Sequence, residues 1–428
     1  MIKRGRKSPR GGAKSLITIP LALTVLFPEI GVVPFSDVQP NFFIISFLLI
    51  PFLANKLRVS MNFILYAMLC MICLWLSFVV HQKNIDFLYI SKYSISLLSI
   101  ILCYILCSNK FLVISNRLIL LSIIIYFLVA LIQFKIPDFL TFLVSRSATQ
   151  TTLDLLSSGR GMLSLTGEPS HFGKTITVLN ILYVFNVLNE EKTKVNRLYL
   201  LIMSMVLFAM NCALSQSFYA CFFHFVVLNG IIFILNPRLS LVFLATMALS
   251  LASVIGFFHI YFPGYRIFIV AHNLFNSPEL LFTQGAFVRV LNVPLTFINL
   301  SYFGFLGAGN SSFILSKSAD LTIETLNFTV SNRLFGGFAE YALKMGILSI
   351  PLLAVYTYMM VNIARLNFTA LGFHRHVGMV FMAMLLLLSL QDGSLANPLM
   401  IFAIVHVFLK VKASFGGGSP RVFVNVVN

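Results

Sequence analysis

A chain of 428 residues with 59% hydrophobic, 14% aromatic and only 10% charged side chains lacks the polar surface that a water-soluble fold of this length needs. Its mean hydropathy is +0.94. The net charge of +17 would suggest nucleic acid in a soluble protein, but the basic residues sit in short segments between apolar runs, as orientation signals do. A nucleic-acid partner is therefore excluded, and the expected class is an all-α integral membrane protein.

Residues 1–15 form a basic, glycine-containing tail. No small-residue cleavage site follows a short apolar core, so the first apolar run is expected to stay as an uncleaved span. Crossing the hydrocarbon core takes about 20 apolar residues. Runs of that order give about 12 transmembrane helices, near residues 16–35, 41–55, 61–80, 88–107, 118–136, 172–188, 198–214, 218–236, 239–262, 338–360, 377–391 and 398–411. Two connections between them are long, at residues 135–171 and 263–337, and both are rich in Leu, Phe and Ile. They are expected to hold short helices and to pack over the bundle. The whole of residues 1–428 reads as a single polytopic membrane domain.

Charge asymmetry orients the spans. With the N-terminus inside, 19 of the 30 Lys and Arg residues fall in inner segments and 11 in outer ones, while Glu190 and Glu191 are the only acids inside. Both termini are then expected in the cytoplasm and both long loops on the opposite face. The six cysteines, Cys70, Cys73, Cys103, Cys107, Cys212 and Cys221, all lie in apolar runs, where a thiol packs as a small hydrophobe. Cys70 and Cys73 have CxxC spacing but lack His or carboxylate neighbours, so neither a disulfide framework nor a metal site is expected.

Chemistry concentrates in the run GRGMLSLTGEPSHFG at residues 159–173, where the first long loop enters the sixth span. Arg160, Glu168 and His171 meet there among glycines that permit tight turns. Pro169 biases Glu168 toward extended backbone, and Ser170 is placed to cap a span beginning at His171. The bland reading is that Glu168, Ser170 and His171 only terminate a helix at a wet interface. Arg266, His272, Arg289 and Arg333 add cations in the second long loop, and a guanidinium matches paired phosphate oxygens. The turn GFLGAGN at residues 304–310 follows Arg289. No GxxxxGK[ST], HExxH, GxSxG or DxD-type pair occurs, so nucleotide hydrolysis, zinc proteolysis and serine hydrolysis lack their residues.

Other polar groups have plainer roles. His81, His374 and His376 lie at span ends and read as interfacial, while His224, His259 and His406 are expected to bond neighbouring helices. Glu29 is less ordinary. An acid at membrane depth tends to face a cavity, although simple exposure after Pro28 would serve as well. Gln216, in a short outer turn, either contacts a ligand or is solvated.

The GEPS run opening a span, the two enlarged outer loops, and the segment NRLFGGFAE at residues 332–340 leading to Lys344, Met345 and Gly346 together resemble the bacterial O-antigen polymerases of the Wzy type. That family belongs to a wider superfamily with the lipopolysaccharide O-antigen ligases. Some of its members carry an arginine and a glycine ten residues apart in each outer loop; no outer-loop arginine here has that partner. The resemblance implies a metal-independent inverting glycosyltransferase in the bacterial inner membrane, without a cofactor. Its donor and acceptor would be glycans on undecaprenyl pyrophosphate, with membrane lipid and a chain-length regulator protein as further candidate partners. Glu168, then His171, would be the base, and Arg289 and Arg160, then Arg266 and Arg333, would hold the pyrophosphate. A ligase handing glycan to lipid A core is the near alternative. A non-enzymatic flippase of lipid-linked oligosaccharide is the distant one, since it should carry its charges along a central cavity and have short loops.

Overall fold

The computed structural model describes residues 11–31, 39–80, 87–144, 161–189, 197–235, 341–361 apart from 343, 344, 356, 359 and 360, and residues 373–390 and 397–415. Among them run eleven helices: α1 (Gly11–Leu26), α2 (Asn41–Leu53), α3 (Met61–Val80), α4 (Phe87–Ser108), α5 (Asn116–Gln133), α6 (Pro169–Asn189), α7 (Arg197–Ser215), α8 (Phe218–Leu235), α9 (Gly346–Val355), α10 (Phe373–Leu390) and α11 (Pro398–Phe415). The described β-structure is one antiparallel bridge between Ile30 and Val144.

Three helices, at Met61–Val79, Asn116–Gln133 and Arg197–Ser215, are long and apolar enough to cross a membrane. Their outward faces show what solvent they meet. On α3, Leu65, Met68, Leu69, Ile72, Leu76 and Val79 recur at helical spacing and are all exposed, as are Leu121, Ile124, Leu128 and Leu131 on α5. In water such stripes would be adhesive patches; against acyl chains they are correctly solvated. With the shorter apolar helices Ile17–Leu26, Asn41–Lys56, Tyr93–Ser108 and Ala220–Leu235, they mark a multi-pass membrane protein.

The centre of the bundle is α6. It packs against α5, α7, α8, α10 and α11, and every residue from Phe172 to Phe185 is buried. Because lipid never reaches it, α6 accommodates Lys174, Thr175, Thr177 and Asn180 where a lipid-facing helix could not. A second, smaller cluster joins α3, α4 and the segment around α9 through Cys70, Leu74, Tyr93, Leu97, Tyr341 and Met345. The Tyr66 hydroxyl also donates to the Pro351 carbonyl there.

Connections gather at two opposite ends. At one, the Arg58 N–H donates to Asn109 Oδ1 at 2.8 Å, and Asn109 returns a bond to the Arg58 carbonyl at 3.1 Å. At the other, Gly31 N–H donates to the Leu143 carbonyl and Met162 N–H to the Leu214 carbonyl. The turn after α1, the ends of α5 and α7 and the start of α6 therefore share one end, as a chain crossing back and forth requires.

Helix bounds depart from the hydropathy reading chiefly at the first span, expected over residues 16–35. There α1 stops at Leu26. Pro28 and Glu29 lie in the turn that follows, and Ile30 pairs with Val144. The span expected at 239–262 and the long loop at 263–337 lie outside the described residues; of the first loop, residues 135–144 and 161–171 are described. All six cysteines are free thiols.

Candidate functional site

The site is the N-terminal end of α6, built on the chain segment 161–171. Gly161 has φ of +86°, and a Cβ there would fall 2.3 Å from the Ser215 carbonyl oxygen, so the loop meets the end of α7 only with glycine at this position. Ser164 is also left-handed, with φ of 55°. Gln133, at the end of α5, holds it: Gln133 Oε1 accepts from the Ser164 N–H at 2.6 Å, and Gln133 Nε2 donates to the carbonyls of Ser164 at 3.0 Å and Phe139 at 2.9 Å. The Ser164 hydroxyl donates to the Tyr126 carbonyl at 2.6 Å, and the Tyr126 hydroxyl to the Leu26 carbonyl at 3.0 Å. One buried network thus ties the loop to α5 and α1.

Glu168 takes the N-cap position of α6. Its carbonyl accepts from the N–H groups of His171 at 3.0 Å and Phe172 at 3.1 Å, and Pro169 stands at the first helical position, where no N–H is needed. This corrects the expectation that Ser170 caps a span starting at His171. Ser170 lies inside the first turn, and its hydroxyl donates to the Glu168 carboxylate at 3.2 Å. The Glu168 side chain is partly exposed at the bundle end.

The residue that sequence reasoning left undecided, Glu29, is buried to 1% exposure. Its Oε2 accepts from the Gly167 N–H at 2.5 Å, and its Oε1 lies 3.2 Å from His171 Nδ1. The second contact is electrostatic rather than an aligned hydrogen bond. Of the two open readings for Glu29, exposure at the interface is therefore wrong; the carboxylate faces inward and is paired. His171 precedes the apolar run 172–188. Burial disfavours its charged form, as does Lys174, but the Glu29 carboxylate, aided by Glu168, outweighs both, and His171 is pushed up to about 9.

Below this end the core of the bundle is polar. His224 on α8 sits between two amides, with Nε2 3.1 Å from Asn180 Nδ2 and Nδ1 2.8 Å from Asn211 Nδ2. Asn211 also donates to the Gly173 carbonyl at 3.1 Å, and the Ser204 hydroxyl to Asn180 Oδ1 at 3.3 Å. Gly173 serves close packing here rather than a turn, since a Cβ would lie 2.4 Å from Ala220 Cβ. His406 likewise meets Asn186, at 2.8 Å. Both histidines bond neighbouring helices as expected.

The structure thus brings Glu168 and His171 together and adds Glu29, Gln133 and Lys174. Gln133 and Lys174 went unremarked as site groups, although a polar side chain within or at the end of an apolar run was a readable signal. Arg160, Arg266, Arg289 and Arg333 lie outside the described residues. No protein-family model, curated protein or solved structure matches the chain.

Proposed function

We propose that the chain is a metal-independent inverting glycosyltransferase of a bacterial inner membrane. It joins undecaprenyl-pyrophosphate-linked oligosaccharide repeats of O-antigen or a related surface polysaccharide at the periplasmic face, with both termini in the cytoplasm. The observation that carries the reading is a partly exposed carboxylate, Glu168, fixed at the N-terminus of the central buried helix beside an imidazole. A hydroxyl entering that end of the bundle meets a proton acceptor backed by a dry, hydrogen-bonded scaffold.

In the reaction the acceptor hydroxyl oxygen attacks the anomeric carbon on the face opposite the diphosphate. The carbon–oxygen bond to the diphosphate breaks, the hydroxyl proton passes to Glu168, and the leaving diphosphate keeps the electron pair. Arg160, adjacent in sequence to the fixed Gly161, and Arg289 are assigned to that developing charge, with Arg266 and Arg333 behind them. The resemblance of the GEPS run and of the two long loops supports the choice of substrate.

The test is reconstitution of the purified chain in vesicles with lipid-linked repeats. Longer lipid-linked glycans support the proposal. Glycan appearing on added lipid A core would make the chain a ligase, and repeats crossing the bilayer without a new bond would make it a flippase; either outcome overturns it.

A further inference from the structure

The Glu29–His171 pair carries an inference that deepens the proposed reaction. Glu29 comes from the turn after α1 and reaches across to the start of α6, more than 130 positions away in sequence. Its two oxygens have separate tasks, one on the Gly167 N–H and one on His171 Nδ1. A carboxylate this deeply buried is tolerated when an opposite charge compensates it, and the Glu29 contact is the only one that buried Nδ1 makes among the described residues. The ring keeps 21% of its side-chain surface exposed, so with Nδ1 turned inward its other edge is the one open to a ligand.

We infer that Glu29 is a positioning residue that keeps His171 as an imidazolium with its second N–H turned outward, making His171 a hydrogen-bond donor to a phosphate oxygen and leaving Glu168 as the proton acceptor. The charged groups around the ring among the described residues are Glu29 from the turn after α1 and Glu168 and Lys174 from its own segment; the neutral Tyr126 hydroxyl of α5 lies close to Glu29. Within this set the two carboxylates stand against Lys174 and the imidazolium. In the transfer step the imidazolium keeps its proton. It donates a hydrogen bond to the departing diphosphate oxygen while the hydroxyl proton goes to Glu168. That division of labour rests on the proposed transfer reaction; the charge state of His171 does not.

The experiment therefore reads the charge state directly, on the full-length chain in detergent, with diethyl pyrocarbonate, which acylates neutral imidazole and spares imidazolium. Peptide mass spectrometry follows His171 alone. In the wild-type chain, the rate corrected for reagent hydrolysis should rise with pH to a midpoint near 9, and at pH 7 Glu29→Gln should react at least about tenfold faster, as an imidazole released toward its ordinary value near 6.5 does. Glu29→Asp should keep much of the protection. A wild-type midpoint at or below about 6.5 overturns the inference, and so does a folded Glu29→Gln chain that reacts no faster than wild type. Should Glu29→Gln fail to fold, the wild-type profile decides alone. If the protection behaves as expected but no glycan is extended in vesicles, the proposed transfer fails and the charge assignment stands; if glycan is extended while His171 reacts as a neutral ring, the reverse holds.

Discussion

Gln133→Leu is the substitution that most sharply probes how the bundle positions its loop. Gln133 is fully buried and makes three hydrogen bonds, two of them to the backbone of Ser164 and one to the Phe139 carbonyl. Leucine fills a similar volume but leaves one N–H and two carbonyls without partners in a dry environment, at about 1 to 3 kcal/mol for each group left unsatisfied. Ser164 also occupies the left-handed region, φ 55°, which a non-glycine residue enters at about 1 kcal/mol. Allowing for partial relaxation, local opening of the loop should become easier by about 3 kcal/mol, which is about a hundredfold faster amide exchange at Ser164 and its neighbours. Hydrogen–deuterium exchange with mass spectrometry on peptides covering residues 161–168 reads this in detergent. Helices such as α3 and α4, remote from the loop, serve as internal controls. Exchange unchanged in that loop would show that Gln133 does not hold it and would refute the reasoning. Misplacement of the Glu168 carboxylate should follow, so the same variant should lose transfer activity.

Further expectations concern the loops and their arginines. Arg160→Ala and Arg289→Ala should each lower polymer formation about a hundredfold at normal membrane abundance, with lysine rescuing only in part because it lacks the planar fork; wild-type glycan ladders from both variants would remove these residues from the site. Single cysteines in a cysteine-free background should label residue 155 from the periplasm and residue 194 from the cytoplasm, as the split of basic residues requires; labelling of residue 155 only from the cytoplasm would invert the orientation.

Much of the architecture was legible because an apolar run bounded by polar residues is itself the physical cause of a membrane helix. The spans read at 61–80, 88–107 and 198–214 match α3, α4 and α7 to within a residue or so. The first span was read too long because hydropathy does not register a turn. Apolar residues resume beyond Pro28 and Glu29, at Ile30, Val32, Val33 and Phe35, and so extend the run in sequence, but the turn at Pro28 and the pairing of Ile30 with Val144 end the helix before them. The site shows the same division. Glycines, a carboxylate and an imidazole in one short run drew notice to Glu168 and His171, whereas the partner of Glu29 was invisible, because their contact joins segments more than 130 positions apart. Ser170 was misread as a cap because proline at the first helical position moves the N-cap back to Glu168. His224 and His406 were readable in kind, since a polar ring among helices must find a partner, though Asn180, Asn211 and Asn186 could be named only from the packing.

The central claim, that Glu168 accepts the proton of the attacking hydroxyl, is tested most directly by Glu168→Gln in vesicles reconstituted with lipid-linked repeats. Glutamine keeps the shape and an acceptor for the Ser170 hydroxyl, and the backbone cap through the residue 168 carbonyl is untouched. The account predicts that the variant still binds lipid-linked donor while turnover falls about 100- to 10,000-fold. Near-normal polymerisation by Glu168→Gln would contradict it, and would leave the α6 N-terminus as a helix cap rather than the seat of the chemistry.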